Sequence, residues 1–138
     1  MDILIKSLIN ILVFGAVMSI IVIVHELGHL VAAKSFGVYC KEFAVGMGPK
    51  VFSIQSKRSE TAYSVRALPL GGFVAMAGEP GEEGLEAVPF ERTINGIKPW
   101  KRLIVMLAGI FMNLVLAFLV FFTIFQINGI VNEPKPVI

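Results

Sequence analysis

Two long apolar runs frame the chain, and between them the pattern changes every few residues. From Ser7 to Val24 no charge occurs, and with Ile3, Leu4 and Ile5 the run reaches back past a single Lys6. From Leu103 to Asn132 thirty residues pass without a charge, with an apolar core from Leu103 to Ile127. Crossing a bilayer takes about 20 apolar residues of helix. Each run therefore predicts a transmembrane helix, over 1–33 and 103–127. A cleaved signal peptide explains the first run poorly: its apolar stretch exceeds the usual ~7–15 residues, Asp2 precedes it, and no small-residue cleavage site follows.

The middle reads as strand rather than helix over 34–77. "VYCKEFAVGMGPKVFSIQ" holds two β-rich runs, Val38 to Val45 and Lys50 to Gln55, broken by Gly46, Gly48 and Pro49. After the polar "SKRSE" turn, "TAYSVRALPLGGFVAM" supplies two more around Pro69, Gly71 and Gly72. The expectation is four short strands in antiparallel hairpins. They are unusually apolar for a water-exposed loop, and a sheet at membrane depth is tolerated only against protein or a watery cavity. A re-entrant β segment is the predicted solution. Residues 78–102 are Gly- and Glu-rich at first, without sustained period, and read as a cytoplasmic loop. The fold class is thus an α-helical multi-pass membrane protein with a small re-entrant sheet between its first two helices.

Composition agrees. The 138 residues are 56% hydrophobic, with a mean hydropathy of +0.80, well above a soluble domain. Twelve Lys/Arg against ten Asp/Glu leave no basic patch of the kind nucleic-acid binding needs. With Cys40 the single cysteine, no intrachain disulfide can form. Ten of the twelve basic residues lie between Lys34 and Arg102, and Lys98, Lys101 and Arg102 abut the second apolar run. The positive-inside rule then puts the middle segment in the cytoplasm and the N-terminus outside.

One motif in the first run carries chemistry. His25, Glu26 and His29 form H-E-x-x-H at the end of "IVIVHELGHLVAAK". Residues four apart share a helix face, so both imidazoles can reach one zinc ion. Zinc lowers the pKa of a coordinated water to about 7, and Glu26, next to the first ligand, is placed to take a proton from it as water attacks a peptide carbonyl. The motif also arises by chance in soluble proteins. Inside a membrane segment, however, ionisable groups cost roughly 2.5–3.5 kcal/mol apiece for Asp, Lys or Arg and persist mainly at functional sites. Gly28 fits the same picture, since a missing side chain admits substrate or another helix. A catalytic zinc usually takes three protein ligands, and His25 and His29 are the only histidines. Cys40 and Glu42 are the candidates in reach. Cys40 falls in a strand-like run and reads better as a small buried residue, so the third ligand is expected outside these residues.

These stretches together resemble the site-2 protease family, in particular the bacterial RseP-like zinc proteases of regulated intramembrane proteolysis. "VHELGHLVAAKSFGV" resembles the family's first-helix motif. "FAVGMGPKVFS" and "YSVRALPLGGFVAMAGE" resemble its re-entrant β segment, and "KPWKRLIVMLAGIFMNLVLAF" the entry to its second helix. There the family usually has A-G-P-x-x-N; Gly109 and Asn113 match, and Ile110 stands in the proline position. The resemblance implies a third metal ligand, an aspartate in an L-D-G motif on a later helix, after an extracytoplasmic PDZ region. "INGIVNEPKPVI" looks like the lead-in to that region, with 128–138 its start, so the chain is expected to be an N-terminal fragment, inactive alone.

Two weaker site candidates remain. Asn113 could hydrogen-bond substrate backbone near the zinc, or tie the helices together for roughly 0.6 kcal/mol. Gly71 and Gly72 could let an extended substrate add to an edge strand, or be plain turn glycines. The function implied is an intramembrane zinc metalloprotease. It would cut single-span membrane substrates of the anti-sigma-factor or signal-peptide-remnant type in the bacterial cell membrane, completed by the later helices. The rival class is a non-catalytic helix-binding module or pseudo-protease, against which Glu26 argues, since a decayed site would be expected to lose its base. A metal transporter is a third option, disfavoured because the motif offers no continuous polar path.

Overall fold

A computed structural model of the chain describes residues 1–81, 85 and 87–129. Its element order is α1 (Asp2–Ser35), β1 (Cys40–Ile54), β2 (Ala62–Met76), a 3₁₀ turn at Phe90–Arg92, and α2 (Pro99–Asn128). Residues 130–138, expected to begin an extracytoplasmic segment, lie outside the described residues.

Both helices are long and apolar enough to cross a membrane. Much of their apolar surface is exposed, from Ile3 and Leu4 at one end of α1 to Phe118 and Phe121 in α2. No water-facing polar stripe balances it, which is the signature of a helix meant for an apolar surround. The structure lengthens both expected spans slightly. α1 runs on to Ser35, where Gly37, at φ +81°, lets the chain turn back and the Gly37 and Val38 amides donate to the Lys34 and Ala33 carbonyls. α2 starts at Pro99 rather than 103, because proline at the first helical position has no N–H to satisfy. It continues unbroken through Ile110.

The four expected strands appear as two long ones, each bent. β1 and β2 form an antiparallel two-stranded sheet in which Glu42 to Val45 meet β2 twice. On one side Phe43 faces Val74 and Val45 faces Gly72; on the other Phe43 faces Tyr63 and Val45 faces Val65. The remainder of β1 pairs back, with Phe52 opposite Val65 and Ile54 opposite Tyr63. Four short pairing runs thus exist, joined by bends at Gly46–Pro49 and Pro69–Gly71 instead of open loops. Gly46 (φ +89°) and Gly71 (φ +73°) take the left-handed backbone that these bends need.

The Pro69–Gly71 bend lies against the middle of α1. The Ser19 hydroxyl is 2.7 Å from the Pro69 carbonyl and 2.8 Å from that of Gly15, sharing its hydrogen between them. Leu70 reaches to Gly15, and Gly71 lies beside Val22. The opposite turn sits at the far end of the sheet, where Lys34 donates to Thr61 (3.2 Å) and Arg92 forks onto Glu60 (2.6 and 2.9 Å). The core also gathers at that end: Leu30, Ala33, Val38, Cys40, Phe43, Val74, Met76, Ile94 and Val105 pack into one buried cluster. Residues 90–97, expected as open loop, are stitched to it. The Ile94 amide donates to Ala77 and the Tyr39 amide to Arg92, each at 2.8 Å.

Candidate metal centre

The helices run antiparallel, and small residues set their closest approach. A Cβ on Gly28 would collide with the Ala108 carbonyl, and a Cβ on Gly109 would lie 2.6 Å from the Nε2 atoms of both His25 and His29. The two imidazoles therefore lie across the bare backbone of Gly109, a place that any side chain would fill. Of the sequence candidates, Gly28 is explained by this helix approach.

The two rings meet edge to face, with Nε2 atoms 3.1 Å apart. Two zinc–nitrogen bonds of ~2.0–2.1 Å at a tetrahedral angle set their nitrogens about 3.3 Å apart. The separation of the pair thus matches that of two ligands on one zinc. Each ring is held from behind. His29 Nδ1 lies 2.7 Å from the Val105 carbonyl. A carbonyl only accepts, so Nδ1 carries the proton and Nε2 keeps its lone pair for a metal. His25 Nδ1 lies 3.3 Å from the Asn113 carboxamide.

Glu26 opens onto a cavity of about 210 Å³ that it shares with His29, Val74, Met76, Glu79 and Val105. The base candidate and one ligand thus face the same small space as the end of β2. Gly71 and Gly72 are not on this cavity. They sit at the bend of β2, where a Cβ on Gly72 would stand 2.6 Å from the Ala44 carbonyl and Gly71 takes its positive φ, so packing alone calls for both glycines.

No group of three His, Cys, Asp or Glu side chains suited to a metal occurs among the described residues. Cys40 is buried, its thiol pushed up to about 11, chiefly by loss of solvent, and it lies by the Val38 carbonyl. Protonated at neutral pH, it is a poor ligand. Glu42, only 6% exposed, is already engaged by Lys50 (3.1 Å), Arg66 (3.0 Å) and the Ser64 hydroxyl. Burial alone would raise its carboxyl. The hydrogen bonds from Ser64, Lys50 and Arg66, with the Arg66 charge, outweigh that and hold it below its ordinary value. The sequence hinted at no such cluster, because its members are up to 24 residues apart.

Residues 13–135 match the profile of Peptidase family M50. The chain belongs to that family. It is 46% identical over 111 residues, 80% of the chain and 31% of the relative, to a protein of Clostridium perfringens named putative zinc metalloprotease. A putative zinc metalloprotease of Fusobacterium nucleatum is 40% identical over 119 residues, 86% of the chain and 33% of the relative. The zinc metalloprotease RasP of Geobacillus kaustophilus is 53% identical over 79 residues, 57% of the chain and 18% of the relative. The chain spans a third or less of the length of these relatives.

Proposed function

We propose that this M50 chain is the part of a membrane-embedded zinc endopeptidase that supplies two metal ligands and the general base. The convergence of His25 and His29 Nε2 over Gly109, with Glu26 facing the adjoining cavity, carries the reading. When bound, zinc polarises a peptide carbonyl and activates water. Glu26 accepts the proton of the attacking water and passes it to the leaving amine. The third ligand comes from the rest of the protein.

The substrate is a membrane-spanning protein segment. A helix hides its peptide bonds, so it must unwind locally before hydrolysis. The β2 run Gly72–Met76 pairs with β1 along one edge, and no strand among the described residues pairs with the other. Because Val74 and Met76 line the cavity with Glu26, an extended substrate strand added there would sit beside the base. Gly71 and Gly72 permit the bend that aims this edge. With its Pro69–Gly71 bend against Gly15–Val22, inside the apolar run of α1, the sheet dips into the membrane profile. The basic middle segment faces the cytoplasm of a bacterial cell and the N-terminus the outside.

The test is cleavage of a single-span substrate by the full-length protein in detergent or liposomes. Glu26→Gln should lower the rate by about 10²–10⁴-fold or more while zinc stays bound. Near-normal cleavage by that variant would return the chain to the non-catalytic, helix-binding class.

A further inference from the structure

We infer that Asn113 is a positioning residue: its carboxamide oxygen accepts the Nδ1 proton of His25, and so aims the His25 Nε2 lone pair at the point that His29 Nε2 already faces. The inference rests on the metal-centre reading above and assigns Asn113 a role distinct from substrate contact or interhelical glue.

The two ligands differ in how their outer nitrogens are satisfied. For His29 the backbone decides, since the Val105 carbonyl can only accept. For His25 the partner is an amide with two faces. Asn113 Nδ2 faces His25 Nδ1 at 3.3 Å, and Asn113 Oδ1 is buried without a partner. That orientation does not suit a metal ligand. An N–H donor there forces Nδ1 to accept and puts the ring proton on Nε2, where it blocks a cation. Turning the amide by 180° exchanges N and O with almost no change of shape. Oδ1 then receives Nδ1–H, and both Nε2 lone pairs converge above Gly109. Asn113, whose polar group reaches across from α2 to the first ligand, is thereby used to set that ligand's tautomer, as outer partners of metal-bound histidines do.

The experiment uses the full-length protein. Zinc affinity is measured by chelator competition for the wild type, Asn113→Asp, Asn113→Leu and His29→Ala. ¹⁵N-histidine NMR reads the Nδ1 proton of His25 in the zinc-loaded protein. Asn113→Leu, similar in size but unable to accept, should weaken zinc by about 10–100-fold and expose the His25 Nδ1 proton to exchange. Asn113→Asp, which can only accept, should keep wild-type affinity and the protected proton. Unchanged affinity in Asn113→Leu with only KM for substrate raised would overturn the inference, as would a large loss in Asn113→Asp. Should Asn113→Leu not fold, the wild-type Nδ1 proton and the Asp variant decide the matter alone. His29→Ala separates the two claims. Its indifference to zinc would sink the metal centre itself, whereas its loss of zinc beside an unaffected Asn113→Leu would sink only the role given to Asn113.

Discussion

The same two helices behave differently at their two ends. Near His25 they nearly touch, with Gly28 under the Ala108 carbonyl and Gly109 under both imidazoles. Toward the start of α1 they part around an apolar groove of about 620 Å³, bounded by Val17, Ile20 and Ile21 on one side and Leu116, Ala117 and Val120 on the other, with Asn113 at its edge. Apolar surface drives neither contact within a lipid surround, where neighbouring helices gain chiefly from close packing and hydrogen bonds. Small residues stand where the two imidazoles converge, and bulky ones line the groove. The close end is also where β1, β2 and residues 90–97 bury their core. Buried packing is thus concentrated at the His25–His29 end.

The largest way to break this contrast is to add one carbon at the close end. Gly109→Ala puts a methyl 2.6 Å from both Nε2 atoms, so the rings must swing away or α2 must retreat. Zinc affinity should fall by about 10–100-fold or more, as when ligand geometry is disturbed, and cleavage should go with it. Chelator competition on purified full-length protein checks this, and unaltered affinity would show that the imidazoles do not meet above Gly109.

The contrast sharpens if the sheet is probed along its length. Single cysteines at Val65, Leu68 and Phe73 should react much more slowly with an impermeant thiol reagent from the cytoplasmic side than a cysteine at Lys57 in the opposite turn. Equal rates would place the bends in water and remove the membrane re-entry.

A smaller effect concerns Glu42. Its carboxyl is held below the ordinary value, so its contribution to stability is complete above the unfolded-state pKa of about 4.3 and fades as pH falls through the lower folded value. Glu42→Gln should cost about 1–3 kcal/mol at neutral pH, and the gap to the wild type should shrink in acid. Thermal unfolding in detergent across pH 2–7 reads this; a gap that widens in acid would reverse the sign.

The smallest effect belongs to the open end. In Gly15→Ala the new methyl meets the flexible Leu70 tip at 3.4 Å, and alanine is the better helix former by about 1 kcal/mol. Stability should therefore change little or rise slightly, with zinc binding intact. A loss matching that of Gly109→Ala would erase the difference between the two ends.

Much of this was legible in the chain because it is local. Apolar run length specifies the helices without reference to anything distant, and H-E-x-x-H brings its own geometry, since four residues of helix put both imidazoles on one face. The glycines and prolines at 46–49 and 69–72 marked where the strands bend. Only the tertiary structure could decide that four strand runs are two continuous strands pairing twice through Glu42–Val45, since the pairing partners are some twenty to thirty residues apart. The same holds for Glu42, whose charge is matched by Arg66 rather than by a metal, and for Asn113, 88 residues from the histidine it meets. Helix propensity and spacing act within a turn or two of the chain. The amide beside His25 Nδ1 is delivered by another helix, and that placement is settled by packing.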